Sequence, residues 1–249
     1  MVFMRKSLYL KSASYYDVVV DSKVIARSAK FISKLLSKFS VKSVLELGCG
    51  TGLYLIPLKK EGFYIEGLDL SQSMIKEARK KSKTIKLYKK DMSNFKINKK
   101  YDAILCLNSS LLALPNFQLI KKTIKNISKH LKEKGVMILC LPNHSKEIKK
   151  SNNERSEETH KITGGILESI CFSHKKGNKW IEEWHGTVKK GNKIYKFKDV
   201  FEEFIFSPKK LETFLKITGF KILKIYGSRT GGNFNNEISY RRVYLCKKH

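Results

Sequence analysis

The sequence predicts an α/β protein whose core is a doubly wound, mostly parallel sheet, and three observations support this fold class. Short apolar runs alternate with amphipathic stretches up to residue 141, a pattern that requires crossover connections between parallel strands. The first run ends in three alternate glycines, at positions 48, 50 and 52, which precede a helical pattern. Beyond residue 143, extended runs joined by Gly-Asn turns indicate an inserted β-rich segment.

The hydrophobic spacing predicts the elements of the core. Apolar residues three and four positions apart predict helices, and short continuous apolar runs predict buried strands. In chain order these rules predict a helix over 23–39, a strand over 41–47, a helix over 53–61, a strand over 63–69, a helix over 71–82 capped by Ser71, a strand over 101–107, a helix from Phe117 that ends at Gly135, and a strand over 136–141.

The C-terminal part of the chain combines the insertion with the end of the core. Three extended runs between residues 166 and 206 are separated by Lys176-Gly-Asn-Lys179 and Lys190-Gly-Asn-Lys193, which are typical of hairpin turns. A helical pattern over 208–218 and strand patterns over 220–226 and 238–246 then close the core. Because core elements follow it, the β-rich piece is an insertion and not a tail.

Length and composition exclude several classes of protein. The chain has 249 residues, 41% of them hydrophobic and only 4 of them Pro, which is typical of a well-cored domain and not of a disordered or fibrous protein. Its longest apolar stretches are far shorter than the ~20 residues that cross a bilayer, and charges interrupt the N-terminal segment. We therefore expect a cytoplasmic protein without a membrane partner. Five cysteines without a C-x-x-C pair predict neither a disulfide framework nor a metal site.

The net charge of +29 has two interpretations. A strongly basic protein is often a partner of nucleic acid. However, 44 of the basic residues are Lys and only 7 are Arg, whereas Arg matches phosphate oxygens better. The abundance of Lys, Ile and Asn is also what a genome-wide codon bias produces. Nucleic acid therefore stays an alternative partner.

The most informative segment is Val44-Leu-Glu-Leu-Gly-Cys-Gly-Thr-Gly52, a strand that ends in alternate glycines and opens into a helix. Glycines let the backbone turn sharply and let a ligand approach the main chain, and the start of a helix offers free N–H groups. A dinucleotide-binding loop needs a third fingerprint glycine where this chain has Leu53. The spacing therefore disfavours a nicotinamide-dependent oxidoreductase.

This glycine loop, with Glu46 before it and a helix ahead of its strand, resembles the first motif of the class I S-adenosylmethionine-dependent methyltransferases. Four later segments resemble the second to fifth motifs of that family in the same order: Gly67–Met74, Lys90–Ser93, Tyr101–Ser110 and Leu131–Cys140. Five ordered motifs are far more specific than a glycine loop alone. The resemblance implies a Rossmann-like, mostly parallel seven-stranded sheet with a small antiparallel β insertion after strand five.

The resemblance also implies a cofactor, S-adenosylmethionine, with S-adenosylhomocysteine as the product. In the second motif an acidic residue, here Asp69, takes the two ribose hydroxyls, since a carboxylate makes charge-assisted bonds to both. In the third motif Asp91 accepts from the adenine amino group. The cofactor-binding residues implied in this way are Tyr16, Glu46, Gly48, Cys49, Gly50, Gly52, Asp69, Leu70, Met74, Asp91, Met92 and Asn108.

The overall plan, with Ser14-Tyr-Tyr-Asp17 at the front and the insertion after strand five, resembles the subgroup that includes glycine and amino-sugar N-methyltransferases. It implies an N-terminal helical cap over 1–40, a cofactor-binding domain over 41–143 and 207–249, and an inserted antiparallel β lid over 144–206. The expected lid residues over the substrate are Tyr9, Trp180 and Trp184. The weak candidates for a general base are His144 and His185, since imidazole titrates near neutrality.

The expected methyl acceptor is the nitrogen or oxygen of a small or medium-sized molecule. No N-P-P-Y, D-P-P-Y or Pro-Cys follows the fourth strand, so the signatures of base N-methylation and of cytosine C5 methylation are missing. The expected lid has 13 basic and 10 acidic residues and both tryptophans, which suits a small amine better than a phosphate backbone. Two alternatives remain open: an RNA or tRNA methyltransferase that uses the basic surface, and a non-catalytic nucleic-acid-binding member of the fold.

Overall fold

The computed structural model describes residues 11–144 and 153–249. These ranges contain the helices α1 (Tyr16–Val19), α2 (Ser22–Ser37), α3 (Leu55–Lys60), α4 (Gln72–Lys81), α5 (Phe117–His130) and α6 (Pro208–Ile217), and a 3₁₀ turn over Ser110–Ala113. The strands are β1 (Ser43–Leu47), β2 (Tyr64–Asp69), β3 (Lys86–Lys89), β4 (Tyr101–Cys106), β5 (Leu131–Pro142), β6 (Asn153–Ile162), β7 (Gly165–Lys176), β8 (Lys179–Lys190), β9 (Lys193–Phe204), β10 (Phe220–Ser228), β11 (Gly231–Asn233) and β12 (Arg241–Lys248). Within these ranges no helix is both long and apolar enough to span a bilayer.

Eight strands form the main sheet, in the order β11-β10-β12-β5-β4-β1-β2-β3. Strands β1 to β5 run parallel to their neighbours, whereas β12 pairs antiparallel with both β5 and β10. The chain winds outwards from β1 in both directions, which confirms the predicted doubly wound, mostly parallel sheet. The described sheet has eight strands where seven are expected, because the three-residue β11 pairs with β10 at the edge.

Side-chain caps determine where two helices near the sheet begin. The hydroxyl of Ser71 accepts from the N–H of Met74 at 3.3 Å and starts α4, which confirms the predicted cap. Asn116 accepts from the N–H of Leu119 at 3.0 Å and starts α5. Each such cap stabilises a helix by about 1 kcal/mol. The first cap also fixes the short connection between β2 and α4.

Apolar side chains pack on both faces of the main sheet. Successive residues of a strand alternate between the faces, so Val44 lies on one side and Leu45 on the other, and both are fully buried. Helices α2 and α3 cover the Val44 side, and α5 and α6 cover the Leu45 side. This packing holds the carboxyl ends of β1, β2 and β4 together at one edge of the sheet.

Two predicted boundaries are wrong. Helix α5 ends at His130 and not at Gly135, because Leu131 already belongs to β5. Gly135 instead permits a tight turn inside that strand, where a Cβ would lie 2.8 Å from the carbonyl oxygen of Lys132. The last strand begins at Arg241 and not at residue 238. The carbonyl oxygens of Ser239 and Tyr240 accept hydrogen bonds from Asn143, the residue after β5, and this holds the residues before Arg241 in a turn.

The insertion forms a separate antiparallel sheet in the order β6-β7-β8-β9. The two predicted Gly-Asn turns join β7 to β8 and β8 to β9. The sequence pattern does not predict β6, because most of its side chains are exposed and polar and its pairing with β7 holds it in place. One face of this sheet packs on α1 and the residues around it through a small apolar cluster: Leu167, Trp184, Val188 and Phe197 against Tyr15, Tyr16, Val18 and Val19.

Candidate functional site

A cavity of about 610 Å³ lies at the carboxyl ends of β1, β2 and β4. Ligands of open α/β sheets bind at this edge, where the strand order reverses. The glycine loop, the loops after β2 and β4, and Tyr16 form one side of the cavity, and β8 and β9 of the insertion form the other. The volume falls in the range of roughly 300–1,000 Å³ that is typical of small-molecule sites.

The glycine loop reaches the cavity in left-handed backbone conformations. Gly48 and Gly50 have φ angles of +66° and +52°, which other residues rarely adopt. A Cβ on Gly48 would lie 2.6 Å from Cβ and Oγ of Ser110, so a side chain there would collide with the loop after β4. A Cβ on Gly50 would meet nothing within 4 Å. The backbone of Gly50 is therefore open to a ligand in the cavity.

Asp69, the last residue of β2, connects the glycine loop to the start of α4. Its Oδ2 accepts from the N–H of Gly50 at 2.8 Å, and its Oδ1 accepts from the N–H of Ser71 at 2.8 Å. Burial raises the pKa of Asp69, and these backbone hydrogen bonds oppose the rise. The side chain lines the cavity, and carboxylate oxygens have more than one lone pair each. Asp69 can therefore accept further hydrogen bonds from a ligand.

Glu46 is a carboxylate buried in the wall of the cavity. It is 3% exposed, and its Oε2 has no hydrogen-bond partner within residues 11–144 and 153–249. Burial, and secondly the charge of Asp69, raises the pKa of Glu46 well above its ordinary value. A buried oxygen without a partner is costly unless a ligand supplies a donor or a positive charge. Glu46 is therefore a position for a cationic or N–H-bearing part of a ligand.

The loop after β4 is strained and is held in place by side-chain contacts. Asn108 and Ser109 have φ angles of +48° and +64°, which are costly for residues other than glycine. The hydroxyl of Ser110 lies 3.2 Å from the carbonyl oxygen of Gly48 and can donate to it. The hydroxyl of Ser109 accepts from the guanidinium of Arg241 at 3.0 Å. These bonds hold the loop in an arrangement that places Asn108, Ser109 and Ser110 at the cavity.

The insertion contributes an acidic wall, which we define as Glu182, Glu202 and Glu203. Oε2 of Glu202 lies 2.5 Å from Nζ of Lys179. Glu182 accepts from the indole N–H of Trp180 at 3.3 Å. The acidic wall lines the same cavity as Glu46 and Asp69, so a ligand there meets carboxylates of both the core and the insertion.

Glu203 is the residue of the acidic wall that lies closest to His144. Its Oε2 lies 3.5 Å from Nε2 of His144, the residue two positions beyond β5, and the side chain of Ser109 lies close enough to affect its pKa. Burial, together with the charge of Glu182, raises the pKa of Glu203 to about 7, while His144, Arg241 and Ser109 oppose the rise. A carboxyl that titrates near neutrality can take up or release a proton at physiological pH.

The N-terminal segment joins the glycine loop to the insertion. Asp17 accepts from the hydroxyl of Thr51, next to Gly50 and Gly52. The N–H of Ser12 donates to Oδ2 of Asp199, on β9, at 2.9 Å. Tyr16 lies between these two contacts and lines the cavity. The segment therefore spans the gap between the two sides of the site.

The structure brings most of the predicted cofactor residues to the cavity. Gly52 does not line the cavity. It lies against α4, where a Cβ on Gly52 would be 3.6 Å from the Cβ of Ala78. The other eleven residues line the cavity: Tyr16, Glu46, Gly48, Cys49, Gly50, Asp69, Leu70, Met74, Asp91, Met92 and Asn108.

The predicted lid residues need a correction. Trp184 does not line the cavity and is buried against Phe197, with ring centroids 5.2 Å apart, so it holds the insertion on α1. Trp180 does not line the cavity either, because its indole packs beside His144 at a centroid distance of 6.4 Å. Tyr9 lies outside the described residues.

The two candidate bases also have different positions from those expected. The side chain of His185 is 41% exposed, lies beside Phe172 and Glu183, and does not line the cavity, so the structure does not bring it to the expected site. His144 does not line the cavity either, but it contacts Glu203, which does. The sequence analysis did not single out Glu203 or Ser109. The available signal for Glu203 was an acidic pair within a strand pattern, which does not show which surface it faces.

Comparison with known proteins gives the family. A family model described as a methyltransferase domain matches residues 20–225, which is most of the chain. The chain belongs to this methyltransferase family. Membership confirms the enzyme class predicted from the five motifs, an S-adenosylmethionine-dependent methyltransferase, and S-adenosylmethionine as its cofactor.

Individual relatives are distant. A putative methyltransferase of Geobacillus sp. (strain WCH70) is 28% identical over 137 residues, which are 52% of this chain and 56% of that protein. The chain thus matches little more than half the length of that relative. The dTDP-3-amino-3,4,6-trideoxy-alpha-D-glucopyranose N,N-dimethyltransferase of Streptomyces venezuelae is 26% identical over 193 residues, 76% of this chain and 79% of that protein. The crystal structure of an S-adenosylmethionine-dependent methyltransferase from Clostridium acetobutylicum is 25% identical and matches with a TM-score of 0.81 over 96% of this chain and 98% of that one.

Proposed function

We propose that this methyltransferase binds S-adenosylmethionine in the cavity at the carboxyl ends of β1, β2 and β4 and methylates a small or medium-sized acceptor, on nitrogen in preference to oxygen. The observation that supports this most directly is that eleven expected cofactor residues line the same cavity as the acidic wall. A cofactor held by the first set and an acceptor held by the second share one enclosed space.

The residues present fit this cofactor. The lone pairs of Asp69 suit the ribose hydroxyls, and the open backbone at Gly50 suits a closely packed ligand. The unpartnered Oε2 of Glu46 suits the ammonium group of the cofactor's amino-acid part. S-adenosylmethionine supplies a methyl group bonded to a positively charged sulfur, which makes that carbon electrophilic. We assign Asp91 to the adenine amino group, as the resemblance of its motif implies, and it lines the same cavity as Asp69.

The chain's own contribution is to align the acceptor and exclude water, since the methyl group of the donor is already activated. We propose that 144–206 acts as the lid for this purpose, that 1–40 forms a cap, and that 41–143 with 207–249 forms the cofactor-binding domain. The contacts of Asp17 with Thr51 and of Ser12 with Asp199 support this division, because they tie the cap to both sides of the cavity.

Two observations support an amine acceptor. Glu182 and Glu203, on one face of the insertion, bring two carboxylates to the cavity in a chain of net charge +29, which favours a cationic group. The Streptomyces venezuelae relative is named as an N,N-dimethyltransferase of an amino sugar nucleotide. The same carboxylates repel a phosphate backbone, so the RNA alternative is less well supported by the site.

Calorimetric titration with S-adenosylhomocysteine tests the cofactor assignment, with NADH as the control ligand. We expect micromolar binding of S-adenosylhomocysteine and no binding of NADH. If S-adenosylhomocysteine does not bind, the proposed function is refuted and the non-catalytic alternative gains support.

A turnover assay tests the acceptor class. Release of S-adenosylhomocysteine would be measured with S-adenosylmethionine and separate panels of amino sugar nucleotides, simple primary amines, phenols and total RNA. We expect turnover with a member of the amine panels. Turnover with RNA alone would overturn the small-molecule acceptor.

A further inference from the structure

Four elements that are distant in the sequence converge on the carboxyl of Glu203, at the end of β9. His144, beyond β5, lies 3.5 Å from its Oε2. Ser109, in the strained loop after β4, lies beside the carboxyl and lowers its pKa, and its hydroxyl accepts from Arg241, on β12. Glu182, on β8, supplies a second negative charge nearby. The side chain of Glu203 is 24% exposed and lines the cavity.

Glu203 differs from its neighbours in the acidic wall. Glu202 is paired with Lys179, and Glu182 accepts from Trp180. Glu203 instead lies beside the imidazole of His144, at 3.5 Å, and the side chain of Ser109, and the charge of Arg241 acts on it without a direct ion pair between them among the described residues. Ser109, which lies beside Glu203, and Asn108, which is among the expected cofactor residues, are consecutive in the loop after β4. The carboxyl therefore lies next to a loop that is expected to contact the cofactor.

We propose, on the basis of the proposed function, that Glu203 is a catalytic residue that binds the ammonium group of the acceptor and accepts the proton this group must lose before methylation. Ser109 and His144 are positioning residues that hold the carboxyl towards the cavity. The acceptor class that follows is a primary or secondary amine that is protonated in solution.

The step balances in atoms and charge. An ammonium group has no lone pair, so it first transfers one N–H proton to the carboxylate of Glu203, which becomes a carboxylic acid. The free amine then forms a bond to the methyl carbon as the carbon–sulfur bond breaks, and the electron pair of that bond stays on sulfur. The products are a methylated ammonium group and a neutral thioether, and the carboxylic acid returns its proton to water.

The titration of Glu203 suits this role. Burial and Glu182 raise its pKa to about 7, against the effects of His144, Arg241 and Ser109. A general base is most effective when its pKa lies near the working pH. The carboxylate fraction rises about tenfold between pH 6 and pH 8 for a pKa near 7. Recognition of a cation by Glu203 should rise with pH over the same window.

The test uses two nucleosides and needs no identified acceptor. Sinefungin is an analogue of S-adenosylmethionine in which a carbon bearing a primary amine replaces the methylated sulfur, so it places an ammonium where the methyl group is transferred. S-adenosylhomocysteine lacks that group. The ratio of their dissociation constants, measured by calorimetry, isolates the contribution of the ammonium because the rest of the ligand cancels.

In the native chain we expect the preference for sinefungin over S-adenosylhomocysteine to rise about tenfold from pH 6 to pH 8, as the Glu203 carboxyl ionises. Glu203→Gln should lower the preference at pH 8 by about tenfold or more, the scale of a lost charged hydrogen bond, and should abolish its pH dependence. Glu203→Asp should restore part of the preference. Ser109→Ala should move the midpoint of the pH dependence upwards, because the carboxylate loses a donor.

Glu183→Gln is the matched control, because it removes a carboxylate of the same lid that pairs with Lys198 and does not line the cavity. It should leave the ratio and its pH dependence unchanged. If Glu203→Gln binds S-adenosylhomocysteine normally but keeps the native ratio and pH profile, this inference is overturned while the proposed function stands. If the native chain binds neither nucleoside, the proposed function fails and the inference fails with it.

Discussion

Replacing Gly48 with Ala tests the close approach of the glycine loop to the loop after β4. In the structure a Cβ at this position would lie 2.6 Å from both Cβ and Oγ of Ser110, whereas real Cβ contacts are not shorter than 3.0 Å. The overlap involves a Cβ atom, which cannot move without its backbone. Both loops must therefore shift, and overpacking of this kind costs about 1–3 kcal/mol.

Gly50→Ala is the matched control for this variant. Gly48 and Gly50 both have positive φ, so each Ala variant loses about 1–2 kcal/mol from the left-handed conformation alone. The entropy that Ala removes from the unfolded chain is also the same at the two positions. A Cβ on Gly50 meets nothing within 4 Å, so the difference between the variants measures the collision with Ser110.

Urea unfolding without ligand, followed by tryptophan fluorescence and circular dichroism, gives the two free energies of unfolding. We expect Gly48→Ala to lose about 1–3 kcal/mol more than Gly50→Ala, for a total of about 2–5 kcal/mol. Equal losses in the two variants would refute the close approach of the two loops. Gly50→Ala should in addition weaken binding of S-adenosylhomocysteine, since its methyl group would occupy the open space beside the loop.

Three further predictions concern the ligand, pH and the lid. Asp69→Ala should weaken binding of S-adenosylhomocysteine by about 1–3 kcal/mol in calorimetry, and an unchanged affinity would remove Asp69 from the site. Burial alone would raise the pKa of Asp102, but hydrogen bonds from Lys132 and Ser43 hold that pKa far below its usual range. The ionised Asp102 therefore stabilises the folded state above about pH 4, and this stabilisation is lost as the pH falls further. Asp102→Ala should therefore lower the free energy of unfolding, measured with urea, by about 2 kcal/mol at pH 7 and by less at pH 2. An equal loss at the two pH values would contradict stabilisation by the charge of Asp102. Trp184→Ala should destabilise the insertion by about 3–5 kcal/mol yet leave the affinity for S-adenosylhomocysteine unchanged, and a large loss of affinity would show that the indole faces the ligand.

Local sequence was sufficient for the cofactor side of the site. Gly48 and Gly50 lie in the loop after β1 and Asp69 is the last residue of β2, and the carboxyl ends of parallel strands meet at one edge of a sheet. Once the strands are recognised by their apolar runs, the loops that follow them must be neighbours. Family membership then confirmed the enzyme class that these motifs predict. Gly52 is the exception, because a glycine in such a motif can serve the turn of the loop instead of the ligand.

The same reasoning failed for strands and helix ends that depend on pairing. The exposed, polar strand β6 has no apolar pattern, and it exists because β7 lies beside it. The end of α5 at His130 depends on Leu131 joining the main sheet, which no helical periodicity reports. Both are cases in which hydrogen bonding to a neighbour decides the conformation over local preference.

The insertion's side of the cavity shows most clearly what the sequence determines and what the tertiary structure determines. By itself the sequence determined the fold class, the family motifs and a set of residues that line one cavity, because these depend on alternation within a strand and on the loop directly after it. Only the tertiary structure decided that Glu203 lies beside His144 and Ser109, while Trp184 is buried between the insertion and α1. The physical reason is that alternation divides a strand of the insertion into two faces but does not say which face covers the cavity. That choice depends on how the insertion packs on α1 and on the loop after β4.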